Sequence, residues 1–265
     1  LANFLHIQVI GVPSILPSPP RSVATDLAVP GLATLPRLRN PDGSGRHTLA
    51  LPLPLLAALL VAVPVFVQAP WVRLAPMAAA LFTVPLMAIG VVLEQRADGR
   101  LRNLGVLLVG FAGSWLGGSL FWGWCRLHPL WHLPIEAFAL PLAAAGLASR
   151  WRLGAGFYLC SLLGTAATDA VMALSGVMGY WPAVLAAPPS EAPALLQTAA
   201  AAVLRPGPLA LTLVAGLLLV GLGGWLWRRG DETSRVGAAT LITTLAVDAV
   251  FLLAAGLAPG LSGLI

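Results

Sequence analysis

The sequence has no lysine, only two cysteines and little charge of either sign: Asp, Glu, Lys and Arg together make up 9% of its 265 residues. Each shortage excludes something. A soluble domain of this length needs charge over much of its surface, and 9% cannot supply it. The net charge of +5 comes from 15 arginines that stand singly or in pairs between apolar stretches, so no basic patch for nucleic acid forms. Cys125 and Cys160 fall near opposite ends of the spans described below. At the helical rise that is ~20 Å apart, too far for a disulfide. There is no Cys-x-x-Cys, which removes a zinc knuckle and a redox pair. No serine-nucleophile motif, P-loop or dinucleotide fingerprint occurs either.

What is present is apolar. Hydrophobic residues make up 58% of the chain and the mean hydropathy is +0.88. The apolar stretches are continuous rather than alternating, which argues against an outer-membrane barrel. The expected fold is therefore all-α, a polytopic integral membrane protein with the lipid bilayer as its solvent. Arginine without lysine, amid abundant Ala, Leu and Gly, fits GC-rich coding.

Residues 1–47 read as a disordered Pro/Arg-rich tail, punctuated by Pro13, Pro17, Pro19, Pro20, Pro30, Pro36 and Pro41. The run from Phe4 to Val12 lacks a basic flank and is too short to span, so it does not read as a signal peptide. Residues 48–265 read as one transmembrane domain of seven spans, near 49–68, 73–93, 103–123, 129–149, 153–177, 208–227 and 236–257. The third is rich in glycine (Gly110, Gly113, Gly117, Gly118), which permits close helix packing. The connection 178–207 is expected on the outer side, with Ala192 to Leu204 as a short interfacial helix. Twelve arginines fall on the N-terminal side of the spans, against Arg73, Arg126 and Arg205 on the other. Eight of the twelve lie beyond the tail. That asymmetry predicts an N-in, C-out orientation. Trp71, Trp122, Trp124, Trp131 and Trp181 on one side, and Trp151, Trp225 and Trp227 on the other, read as interfacial belts.

The ionisable residues inside spans stand out, because a charged side chain at a helix centre costs ~2.5–3.5 kcal/mol on insertion scales. His128, His132 and Glu136 recur every four residues at the start of the fourth span, hence on one helix face. Asp169 and Asp248 lie in the fifth and seventh spans. At 1.5 Å per residue Glu136, Asp169 and Asp248 all fall ~10–13 Å below the outer side. Groups that share a level suggest one cavity opening outward, with His132 above Glu136 and His128 at the rim. Thr165 precedes Asp169, and Thr244 precedes Asp248, by one helical turn. Each hydroxyl can bond the carboxyl or the backbone. Pro129 suits a first helical turn, whereas Pro134 and Pro141 leave the carbonyls of Leu130 and Ala137 without their helical donors. The fourth helix is thus expected to be kinked or broken beside Glu136, and irregular backbone at that depth needs protein or a wet cavity around it.

Four readings of His132, Glu136, Asp169 and Asp248 follow. They form a proton or ion path, as in a small-solute or proton-coupled permease. They form an acid–base pair acting on an isoprenoid or other lipid-soluble substrate. They hold a metal, although the Glu-x-x-His repeat of di-iron bundles is missing. Or they only fix helix packing, as in a non-catalytic assembly or pigment-associated factor. The cofactor and the metal stay open, and the partners are the bilayer and a small hydrophobic molecule or ion.

At Val63-Pro64-Val65-Phe66-Val67-Gln68-Ala69-Pro70-Trp71-Val72-Arg73, Trp122-Gly123-Trp124, His132-Leu133-Pro134-Ile135-Glu136-Ala137 and Gly164-Thr165-Ala166-Ala167-Thr168-Asp169 the chain resembles a cyanobacterial family of uncharacterised integral membrane proteins, a domain of unknown function. The resemblance covers roughly 60–256. It implies a plasma or thylakoid membrane and supplies no activity. Through Pro134-Ile135-Glu136 the chain also resembles small membrane-embedded carotenoid cyclases, in which a second Glu follows the first; here that position is Ala137.

Overall fold

A computed structural model of the protein describes residues 51–261, and among them every regular element is helical. The expected disordered tail, 1–47, lies outside the described residues. Helix α1 (Leu53–Leu74) follows Pro52 and runs on through Pro64 and Pro70. It stops at Ala75, at φ −148° and ψ 70°, because the following Pro76 disfavours helical geometry there. Helices α2 (Pro76–Leu81) and α3 (Thr83–Arg96) form one apolar rod interrupted at Phe82. Pro85 accounts for the interruption: it has no N–H for the Leu81 carbonyl, and its ring crowds that oxygen. Helix α4 (Gly99–Leu120) continues into a π-helical turn, Phe121–Cys125.

The fourth expected span departs most from the sequence reading. Instead of one kinked helix over 129–149 there is a 3₁₀ turn Pro129–Trp131, the five-residue α5 (His132–Glu136), a second 3₁₀ turn Ala137–Ala139, and α6 (Leu140–Gly146). Two interior prolines remove two ladder bonds within eight residues, and the helix gives way rather than bends. Beyond it come α7 (Arg152–Leu174), α8 (Tyr180–Ala186), α9 (Ala192–Val203), α10 (Pro206–Arg229) and α11 (Glu232–Leu257). Six described helices, not seven, are long and apolar enough to cross a membrane: α1, the α2–α3 rod, α4 with its π turn, α7, α10 and α11. The protein is accordingly a multi-helix membrane protein.

Glycines set the closest crossings. A Cβ on Gly154 would lie 2.2 Å from the Val106 carbonyl oxygen, and one on Gly110 would lie 2.2 Å from that of Gly154. A side chain at either position would collide with the facing backbone, so α4 and α7 touch there without intervening side chains. The contacts advance together along the two helices, Val106 with Gly154, Phe111 with Phe157 and Gly113 with Tyr158, so α4 and α7 run parallel. A cluster of Leu53, Ala57, Val106, Leu107, Phe111, Trp115, Leu153, Phe157 and Val236 fills the space around them. Helix α9 buries one face, where Leu196 and Ala200 join Val184 and Ala255 in a second cluster.

Polar contacts mark the two ends of the bundle. At one end the Glu94 side chain is 1% exposed and receives Arg102 at 3.3 Å and Arg150 at 3.6 Å. The Asn103 amide donates to Glu232 at 2.6 Å. Asp231 caps α11 there by accepting from the Ser234 N–H at 3.0 Å, and hydrogen bonds from Ser234 hold its carboxyl below the ordinary aspartate value. At the other end Trp181 donates to the Arg126 carbonyl at 2.8 Å and stacks on Trp122 at 5.4 Å. Cys125 and Cys160 are both free thiols.

Candidate functional site

The break between α5 and α6 places the site. Glu136 would normally accept from the Leu140 N–H, but that N–H turns to Ala137 in the 3₁₀ turn. The Tyr158 hydroxyl of α7 replaces it. It donates to the Glu136 carbonyl and accepts from the Ala139 N–H at 3.2 Å. One side chain thus satisfies two backbone groups that the broken helix leaves over. Against the other side of α5 lie Gly117 and Gly118 of α4. A Cβ at Gly117 would meet the Glu136 Cα at 3.0 Å, and one at Gly118 would face both the Gln68 amide and Glu136 Oε1. The glycines let the short helix seat directly on α4 and turn Glu136 inward.

His132 lies at the centre. Its Nε2 is 3.2 Å from Glu136 Oε1, the contact that the four-residue spacing predicts. Its Nδ1 is 3.1 and 3.0 Å from the two carboxylate oxygens of Asp169, on α7. The imidazole packs on Phe121 at 4.3 Å and near Trp181 at 5.8 Å. A neutral imidazole has one N–H and one bare nitrogen. Facing carboxylates with both nitrogens, His132 either carries both protons or has one acid carry the second. The trio is net negative with either distribution.

Asp248, on α11, accepts from the Thr168 hydroxyl at 2.5 Å. The threonine beside Asp169 therefore serves the aspartate of the other helix. Of the two hydroxyls expected to bond the carboxyl or the backbone, that of Thr244 takes the backbone, donating to the Thr240 carbonyl at 3.1 Å with its methyl over Gly164, while Thr165 lines the cavity. A threonine in a helix satisfies itself most readily against the carbonyl one turn back. Gln68 of α1 donates to the Trp115 carbonyl at 2.8 Å and to Ser119 at 2.7 Å. Among the groups that sequence reasoning did not single out, Gln68 and Tyr158 carried a legible signal, a strong hydrogen-bonding side chain in an apolar helix. Thr168 carried none.

His132, Glu136, Asp169 and Asp248 all line one cavity of ≈ 630 Å³, within the range of small-molecule sites. Its remaining wall is largely apolar and aromatic, including Phe66, Trp115, Trp122, Phe157, Trp181 and Phe251. His128 is exposed, lies against Trp131 at 5.4 Å and does not line the cavity, so the His-x-x-x-His-x-x-x-Glu pattern does not act as a unit. Among the described residues no group of three or more His, Cys, Asp or Glu side chains is arranged to hold a metal ion. His132 has both nitrogens engaged by carboxylates and keeps none for a metal.

No curated protein and no solved structure matches the chain. A family model does, over residues 57–256, a stretch that takes in the α1 to α11 helices and every residue of the site. The chain therefore belongs to that family, described as Protein of unknown function (DUF3120).

Proposed function

We propose that the protein is a proton-linked, permease-like carrier in which Asp169, His132 and Glu136 hold the exchangeable proton. One observation carries this reading: His132 bridges a carboxylate on a continuous helix, α7, and one on a broken segment, α5, at the wall of a cavity. Broken helices beside intramembrane carboxylates are what transporters use to bind and release their cargo. Movement of α5 away from α7 separates His132 from Asp169 and changes which group keeps the proton. The test uses vesicles containing the reconstituted protein, filled with a small-molecule extract of the source cells and given a pH step. At least one solute should leave faster than from vesicles carrying Asp169→Asn, as read by mass spectrometry of the medium. Identical release profiles refute the reading.

The carrier reading takes the chain through the membrane seven times. The parallel course of α4 and α7 supports this, since the segment between them must then return across the bundle. Its contacts run antiparallel to α7, His132 with Asp169 and Gly146 with Ala155. The end gathered around Glu94 and Glu232 holds Arg96, Arg100, Arg102, Arg150, Arg152, Arg228, Arg229 and Arg235, which supports an N-in, C-out orientation. A C-terminal phosphatase fusion should be active outside the cytoplasm and a fluorescent-protein fusion dark; the reverse refutes the orientation. The sequence resemblance supports a plasma or thylakoid membrane.

The apolar wall favours a second reading, an enzyme that uses the same pair as acid and base on a lipid-soluble substrate. In the vesicle experiment a carrier releases its solute unaltered, whereas an enzyme yields a product of changed mass.

A further inference from the structure

We propose that the cavity selects lipophilic organic cations, molecules whose positive charge rides on a mainly apolar body. The proposal rests on the carrier reading above and names its cargo. Three carboxylates, Glu136, Asp169 and Asp248, line the space. Of the cationic groups that line it, His132 is taken up between two of those acids, and Arg73 stands exposed at the end of α1. Tyr180 also lines the wall. A guest among the polar groups therefore meets acceptors in excess of donors.

The rest of the wall gives the second half of the argument. Trp115, Trp122 and Trp181 present ring systems to the cavity, joined by Phe66 and Phe251, which stack at 6.3 Å. Aromatic faces attract a cation and reject an anion by the same quadrupole. A small hydrated metal ion gains little from such a wall, because it would leave its water for few oxygens. An anion meets net negative charge. A neutral apolar molecule fits the wall and leaves the acids idle. An organic cation uses both.

The experiment compares two probes of matched shape and opposite charge, tetraphenylphosphonium and tetraphenylborate. Saturable binding to the full chain in detergent is read by tryptophan fluorescence, with free probe corrected against protein-free micelles. The phosphonium should bind about tenfold tighter or more, since like-charge juxtaposition is penalised strongly. Glu136→Gln with Asp248→Asn should erase most of that preference by weakening the phosphonium alone. Equal or tighter binding of the borate overturns the cation selectivity and leaves the carrier reading standing. The same holds if the double variant binds the phosphonium unchanged. Binding of neither probe overturns the cation proposal alone, because the carrier reading is refuted only by identical release profiles in the vesicle experiment. The wild-type comparison needs no variant, so misfolding cannot obscure it.

Discussion

Replacing Tyr158 with phenylalanine removes one oxygen and nothing else. The ring, 3% exposed and packed against Gly113, keeps its place. The hydroxyl's two bonds go, leaving the Glu136 carbonyl without its donor from α7 and the Ala139 N–H without its acceptor. A buried polar group left unpaired costs about 1–3 kcal/mol. Two such groups set an expected loss of roughly 2–6 kcal/mol, toward the lower figure if the 3₁₀ turn relaxes. The assay is reversible unfolding in mixed micelles, alongside phosphonium binding. Stability should fall by that amount, and binding should weaken as well, because Glu136 sits at the C-terminal end of α5 beside the break. A Tyr158→Phe variant within about 0.5 kcal/mol of the wild type would refute the idea that this hydroxyl holds the broken segment in place.

Other substitutions separate the remaining contributions. Gly154→Ala drives a Cβ into the Val106 carbonyl and should cost about 1–3 kcal/mol by forcing α4 and α7 apart, with Gly110→Ala on top adding less than its single effect, as measured by unfolding of the three variants. Removing both Arg102 and Arg150 leaves the Glu94 carboxylate buried alone, and the loss should exceed the sum of the single losses in a double-mutant cycle. Asp231→Ala should cost about 1 kcal/mol through the lost cap of α11. Because the folded carboxyl titrates below its ordinary value, that contribution is complete above the ordinary aspartate range and is lost as pH falls through the folded value; wild type and variant should therefore converge in acid. Trp115→Phe keeps the ring cluster with Trp71, Phe82 and Phe111 but loses the bond to the Ala79 carbonyl, an expected ~0.5–1.5 kcal/mol by thermal unfolding.

Composition and run length carry most of the fold. The stretch expected near 103–123 is the helix Gly99–Cys125, and that near 208–227 is Pro206–Arg229. Apolar length is a one-dimensional property, and lipid demands it of each segment separately. The interruptions were less legible. Pro134 and Pro141 announced trouble in the fourth span, yet whether a helix bends or breaks depends on whether something outside it can satisfy the freed groups. Here that something is Tyr158, on a neighbouring helix. The site divides in the same way. The Glu136 contact of His132 follows from spacing within one helix, whereas its Asp169 contact needs α5 to pack against α7. The level of the three acids could be counted from span ends, but which threonine faces which aspartate is a matter of helix rotation, which the Thr-to-Asp spacing shared by α7 and α11 does not encode.

The broken segment also bears on how the chain is assembled. Continuous helices such as α10 or α11 satisfy their own backbone and can enter the bilayer singly as they emerge from synthesis. The stretch from Pro129 to Gly146 cannot, because it borrows the Tyr158 hydroxyl from a helix made after it. On the seven-span reading it waits outside the hydrocarbon, or in the lee of the insertion machinery, until α7 has been synthesised. The most chemically equipped part of the protein is then the last of its neighbourhood to settle, and a released chain truncated before Tyr158 should leave His132 and Glu136 accessible to water-soluble reagents.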